Sequence, residues 1–360
     1  PVSALIHAAT MVAAGVYLLC RMPMVFEPIL PFIGWLGALT ALFAAIWAFG
    51  QTDLKRVLAY STLSQLGFMV AGVGLGSTPA AFFHLTTHAF FKALLFLVAG
   101  AIIDACHHQQ DAQRMGGLWR RMPFTFAMFV IGSLALAGFP FTAGFFSKDT
   151  IFAAAQAAHS PIFYILLGSS LLTALYMGRL AGLVFLGKPR SDEAAHAHEG
   201  NWQYHAPLLF LCVGAIAAGS LAFYPQFVAR AFAHLPHPHD PQFFFIWGIV
   251  AGVVGILTAF AYSRTSREPL ERLGFAYYWT QIGFGLDQLW TNIGYTLSGV
   301  VSRAFFFVDE VIVGGAFVNG IAATFGLGGF FAQVSYRRLL TVTLYWILLG
   351  AGLLVLFAYL

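Results

Sequence analysis

Charge is what this sequence has least of. Only 9% of its 360 residues are Asp, Glu, Lys or Arg, against about a quarter in a soluble domain. That excludes a chain whose surface lies mostly in water. Of 14 acidic residues, only Asp149 falls well inside an apolar run, and Asp104 closes one. Three cysteines (Cys20, Cys106 and Cys212) show no pairing or ligand spacing, which argues against a disulfide framework or a metal cluster. No glycine-rich nucleotide loop and no haem-ligand pair occurs, so nothing suggests that the chain carries electrons itself. An initial Met and a signal peptide are also lacking. The chain opens Pro1-Val2-Ser3 and reads as the C-terminal part of a longer protein. Its net charge of +4 is spread over short loops, so no nucleic-acid partner is expected.

What is present is apolar. Hydrophobic residues make up 59% of the chain, Phe alone contributes 38, and mean hydropathy is +0.79. Several runs can cross a hydrocarbon core of about 30 Å at ~1.5 Å per helical residue. Spans are expected over about 4–20, 31–50, 57–75, 80–103, 124–158, 161–186, 207–223, 243–263 and 338–360. The fifth is too long for one straight crossing. It contains Gly138-Phe139-Pro140-Phe141-Thr142-Ala143-Gly144. Proline and glycine there free backbone groups that lipid cannot satisfy, so a helix broken inside protein is expected.

Basic residues orient these spans. Thirteen Lys and Arg, from Lys55 to Arg338, fall in loops on one side, and only Arg21 and Arg230 on the other. That bias predicts the first side to be cytoplasmic or matrix-facing. Between the last two spans, Thr280, Asp287, Thr291, Ser298, Ser302 and Asp309 recur at spacings of 7, 4, 7, 4 and 7. Apolar residues fall between them at helical spacing. This predicts an amphipathic helix along the membrane surface, interrupted by the glycines from Gly314 to Gly329. The fold class is all-α: a polytopic membrane helix bundle with a broken helix, an amphipathic lateral helix and a final transmembrane anchor.

The candidate chemistry sits in the stretch from Pro79 to Asp104. His84, His88 and Lys92 are spaced four apart, so they share one helix face with an offset of about 40° per step. Lys92 lies near mid-span, where a lysine costs at least ~2.5 kcal/mol. Snorkelling fails from that depth. The alternatives are a structural lysine paired to a carboxylate and a group that loads and releases protons; the second is favoured. The two histidines titrate near neutral pH and stack under Lys92. Lys148 and Asp149 follow the break directly, as relay groups or as a structural pair or cap. Adjacent residues point to different helix faces, so these two need not pair. His7 is a lone intramembrane histidine that on spacing alone reads as packing. Arg179 lies about seven residues from the end of its span and is expected to anchor by snorkelling. The loop histidines, including those of His234-Leu235-Pro236-His237-Pro238-His239, read as solvated turns rather than a metal site.

Several of these motifs resemble a known family. The segment Pro1-Val2-Ser3-Ala4-Leu5-Ile6-His7-Ala8-Ala9-Thr10-Met11-Val12 is similar to the end of the first helix repeat of the antiporter-like subunits of respiratory complex I. Asp53-Leu54-Lys55-Arg56 through Leu66-Gly67, His88-Ala89-Phe90-Phe91-Lys92-Ala93, and Gly138-Phe139-Pro140 through Ser147-Lys148-Asp149 continue the likeness. The family fold has two inverted five-helix repeats. On that map, 1–20 ends the first repeat and 21–186 forms the second, with its broken helix at 124–158. Two further helices occupy 187–263, a lateral arm 264–337, and a terminal helix 338–360. Shorter relatives in the family lack that arm.

The resemblance implies roles, residue by residue. His7 resembles the protonatable link between half-channels. Lys92, with His84 and His88, resembles the charged group of the central axis. Lys148 resembles the terminal lysine through which a proton leaves. A first-repeat lysine and its glutamate partner are expected upstream of Pro1. No cofactor is expected on this chain. The partners implied are other membrane subunits, above all antiporter-like neighbours held by the arm on the cytoplasmic side of a bacterial inner membrane. The rival readings are a cation/proton antiporter subunit of the multi-subunit sodium–proton type and a scaffold that moves no protons.

Overall fold

The computed structural model describes residues 2–8, 10–220, 224, 235–236, 240–264, 269–336 and 340–359. Among them the secondary structure is helical, apart from one isolated bridge between Asp53 and Asp111. Among the described residues, eight helices are long and apolar enough to cross a membrane. The chain is a multi-pass, all-α membrane protein. It divides into two compact units, Pro1–Phe284 and Gly285–Leu360.

The first unit opens with α1 (Val2–Ala8) and α2 (Met11–Arg21). The first expected span is thus interrupted. Thr10 leaves helical geometry at φ −117° and ψ −97°, and its hydroxyl donates back to the Leu5 carbonyl at 2.8 Å. Next come α3 (Leu30–Gly50) and α4 (Leu54–Gly74). These two approach until their backbones touch. A Cβ on Gly37 would strike the backbone of Gly67 and Ala71, and one on Gly74 the backbone of Gly34. Small residues permit this contact, and in lipid close van der Waals packing is the main attraction left to helices. Ser64 Oγ adds a bond across the seam to the Ala41 carbonyl at 2.8 Å.

Helix α5 (Thr78–Ala105) is the hub. Its Phe91, Leu94, Leu95, Val98 and Ile102 share one core with Leu54 and Leu58 of α4. Around them stand α6 (Pro123–Ala137), α7 (Ala143–Ala157), α8 (Ile162–Val184) and α9 (Trp202–Ala217). The expected span 207–223 begins earlier than its apolar run, at Trp202, with Pro207 inside the helix. The span 124–158 is two half-helices, α6 and α7. Gly138 closes α6 in the left-handed region at φ +83°, a conformation that suits glycine. Helices α10 (Pro241–Ser263) and α11 (Phe275–Gln281) complete the unit.

The second unit holds α12 (Leu286–Phe307), a π-helical stretch Val308–Asn319, α13 (Gly320–Tyr336) and α14 (Leu340–Tyr359). Here one expectation fails: the glycines between Gly314 and Gly329 do not break the helix. The backbone passes from α12 into a wider winding and on into α13. Glycine weakens a helix by only about 1 kcal/mol, and the wider turn keeps the backbone bonded through Gly314 and Gly315 without a gap.

Candidate functional site

Three of the predicted residues line up on α5. His84, His88 and Lys92 are all buried, and the imidazole centres of His84 and His88 lie 6.2 Å apart. The Lys92 ammonium donates a short hydrogen bond to Ser61 Oγ on α4, and Ser61 in turn donates to the Leu58 carbonyl at 2.8 Å. Tyr176 of α8 brings its hydroxyl toward Ser61 and Thr173 without closing a bond of ordinary geometry. Among the described residues no carboxylate pairs with Lys92. Its charge is met by a hydroxyl and by the Phe96 ring, 5.7 Å away.

His84 is held at both nitrogens. Nε2 faces Gln65 Oε1 at 3.2 Å and Nδ1 faces Ser147 Oγ at 2.9 Å. A carbonyl oxygen only accepts, so the proton sits on Nε2 in the neutral ring and Ser147 donates to Nδ1. Ser147 has a second acceptor, the Ala143 carbonyl at 3.0 Å. When His84 takes a second proton, Nδ1 donates to Ser147 and the hydroxyl turns to Ala143. Thr87, one turn along α5, donates to the same oxygen at 2.8 Å. Either charge state of the ring would thus find partners through a hydroxyl rotation alone.

The break in the α6–α7 pair positions Lys148. The Gly138 and Phe139 amides both turn back to the Leu134 carbonyl, at 3.0 and 2.9 Å, and the missing turn leaves the Leu136 oxygen without a helical donor. Lys148 Nζ donates to it at 2.6 Å, at the negative end of the α6 dipole. The Phe68 ring lies 5.1 Å from the ammonium. The His84–Ser147 bond joins the row on α5 to the half-helix that carries Lys148.

The remaining candidates are placed differently. Asp149 is half-buried and adjacent to Lys148, but no ion pair joins the two among the described residues. The backbone of His7 is in α1, while its side chain lies outside those described, as do His234, His237 and His239. Arg179 departs from expectation. It does not snorkel: it is buried and donates from Nη1 to the Gln51 carbonyl at 2.6 Å, capping the C-terminal end of α3. Gln51 in turn donates to the Thr280 and Gln281 carbonyls at 3.2 and 3.0 Å. Desolvating a guanidinium is tolerable when it satisfies a buried carbonyl that has no other donor.

The site also holds residues that sequence reasoning passed over: Ser61, Gln65, Thr87, Ser147 and Tyr176. A signal existed for two of them. Four of the five residues in Ser61-Thr62-Leu63-Ser64-Gln65 are polar, within an otherwise apolar helix.

Amines, imidazoles and hydroxyls so arranged are groups able to exchange protons. Residues 1–173 match a membrane family described as NADH:quinone oxidoreductase/Mrp antiporter. That match spans a little under half of the chain. It is 48% identical over 247 residues to NADH-quinone oxidoreductase subunit L of Pseudomonas aeruginosa, covering 66% of this chain and 40% of that protein. It is 46% identical over 266 residues to subunit L of Escherichia coli, covering 72% and 43%. It is 43% identical over 289 residues to NADH-ubiquinone oxidoreductase chain 5 of Metridium senile, covering 77% and 48%. The chain thus spans less than half the length of these relatives. Among solved structures, the Mrp complex from a Dietzia species shares its fold, with a TM-score of 0.54 and 23% identity over 66% of this chain and 52% of that one.

Proposed function

We propose that the chain is part of a proton-translocating membrane subunit of an NADH–quinone oxidoreductase, with electron transfer carried by other subunits and no cofactor bound here. The observation that carries this reading is a set of buried titratable and hydroxyl groups: Lys92 bonded to Ser61, His88 and His84 with rings 6.2 Å apart, His84 bonded to Ser147, and Lys148 next to Ser147 in the chain. Like charges in a low-dielectric interior repel strongly. A proton arriving at one amine therefore pushes its neighbour to release one, and His84 passes charge by rotation of Ser147. Lys148, at the break, is the release group. His7 is the protonatable link between half-channels.

The second unit supports a role in assembly. From Leu286 to Tyr336 it is helical throughout, and the 22 residues of α12 with the 17 of α13 alone reach about 58 Å at ~1.5 Å per residue, nearly twice the hydrocarbon thickness. A helix of that length lies along a membrane more readily than through it. In this reading it clamps neighbouring antiporter-like subunits from the Lys/Arg-rich, cytoplasmic side of a bacterial inner membrane, and α14 anchors its end.

The test is respiration-driven proton uptake in vesicles carrying assembled enzyme. Lys148→Ala is expected to abolish translocation through this subunit while the complex still assembles. Undiminished translocation would favour a scaffold. Translocation that follows sodium and needs no quinone reduction would favour the antiporter reading, to which the shared fold of the Mrp complex also points.

A further inference from the structure

Helices α6, α8 and α10 do not close completely on one another. α8 and α10 meet backbone to backbone: a Cβ on Gly178 would strike the Gly255 carbonyl, and one on Gly182 the Ala259 carbonyl. That seam floors a cavity of about 200 Å³, and α6 forms its far wall. Apart from the Ser133 hydroxyl, the side chains lining it are apolar. The cavity runs from Phe126 to Ala137 along α6 and from Phe260 to Ala251 along α10. That is about 14–17 Å at ~1.5 Å per residue, half of a hydrocarbon core of ~30 Å. The deep end is blind: Ala137, Ala174 and Ala251 pack together there, and the Phe139 ring closes on Gly252. The flank is open, for Ile256 and Phe260 are exposed.

The other end meets the Lys/Arg-rich loops. Arg120 and Arg121 precede α6, Lys188 follows α8 and Arg264 follows α10, and all four are exposed. Backbone contacts draw these segments together. The Trp119 amide donates to the Phe185 carbonyl at 3.1 Å, and Gly187 packs against the Ser263 carbonyl. Among the described residues no carboxylate pairs with any of the four. Glu199, at the start of α6, is taken by the Phe124 and Thr125 amides at 2.9 and 3.3 Å. Trp119 is exposed beside them with Arg120 over its ring at 4.9 Å, and tryptophan favours the level of the lipid headgroups.

We propose that this slot holds one acyl chain of an anionic phospholipid from the Lys/Arg-rich leaflet, with its phosphate among Arg121, Lys188 and Arg264. The length fits one leaflet. A helix, about 10–12 Å across, is too wide for the slot, and an empty slot would leave its walls without dispersion partners. Guanidinium and ammonium groups at the mouth meet the phosphate with charge-assisted bonds. With no free acid beside them, they select a net-negative headgroup over a zwitterionic one. The chain's tip lies against Ala137, the last residue of α6 before the break, so the lipid braces that half-helix from behind. The proposal stands apart from the proton relay and does not depend on it.

The experiment places assembled enzyme in vesicles containing phosphatidylglycerol with a diazirine at the tip of one acyl chain. After illumination, peptide mass spectrometry is expected to find lipid adducts on the deep wall of the slot, around Ala137, Ala174 and Ala251. Phosphatidylcholine bearing the same chain is expected to give at least fivefold less. Ser133→Leu fills the slot and is expected to cut the adducts at least fivefold. The exposed pair Lys188→Gln with Arg264→Gln, which leaves the bundle's packing alone, is expected to bring phosphatidylglycerol down to the phosphatidylcholine level. Equal labelling by the two lipids overturns the proposal, as do undiminished adducts in the paired variant or in assembled Ser133→Leu enzyme. A slot covered by a neighbouring subunit gives no lipid adduct on these residues, and that result overturns it too.

Discussion

Lys148 Nζ lies 2.6 Å from the Leu136 carbonyl oxygen, the acceptor that the break between α6 and α7 leaves without a helical donor. The two groups answer each other's burial: an amine in an apolar interior and a carbonyl with no amide. Replacing Lys148 by Met therefore removes more than a charge. A buried acceptor left unmet costs about 1–3 kcal/mol, so Lys148→Met is expected to lower the thermal midpoint of the purified complex and to abolish proton release. Lys148→Arg is expected to keep the stability and lose most of the flux, because guanidinium does not deprotonate. Thermal unfolding and vesicle pumping, measured on both variants, separate the two effects.

Ser147 is predicted to matter through His84. Ser147→Ala removes the hydroxyl that serves Nδ1 in either charge state. Proton flux is expected to fall about tenfold, the equivalent of one lost hydrogen bond of ~1.4 kcal/mol, and the thermal midpoint to fall as well, because the buried His84 Nδ1 and Thr87 hydroxyl lose their partner. Ser147→Thr, which retains the hydroxyl, is expected to recover much of the flux. Rates of acidification in vesicles at fixed electron transfer distinguish these outcomes.

Cys106 lies just beyond α5, outside the span, and burial pushes its thiol up to about 11, with Glu193 adding to the shift. The thiolate is the reactive form, so the raised value means a neutral, inert thiol at pH 8, with only about one molecule in a thousand ionised. Maleimide labelling of Cys106 in folded protein is expected to be negligible at pH 8 and to rise steeply toward pH 11. Rapid labelling at pH 8 by mass spectrometry would show that the site opens.

Arg179→Met is expected to destabilise the first unit by about 1.5–3 kcal/mol, the range for a hydrogen bond to a charged group, through loss of the bond to the Gln51 carbonyl. Proton flux per assembled complex is expected to be unchanged, since the bond removed caps the end of α3. Thermal unfolding of the purified complex, with flux normalised to assembled enzyme, checks both.

The spans and the break were legible because each follows from a local rule: a run of apolar residues long enough for the bilayer, or glycine and proline where a helix must end. The row of His84, His88 and Lys92 was legible because one periodicity places it on one face. Arg179 was not, since its role depends on the end of a helix 128 residues away in the chain. Ser147 and Gln65 were missed for the same reason: hydroxyls and amides inside helices look like tolerated packing until the facing helix puts an imidazole opposite them. The π-helical passage through Val308–Asn319 has no single-residue signature, and the glycines around it pointed the other way.

The most direct measurement is the number of protons moved per NADH oxidised in vesicles bearing assembled Lys92→Met enzyme. If the buried row carries protons, that number falls while quinone reduction continues in uncoupled vesicles. An unchanged proton count at parental turnover would contradict the assignment of Lys92, and with it the relay through His88, His84 and Lys148.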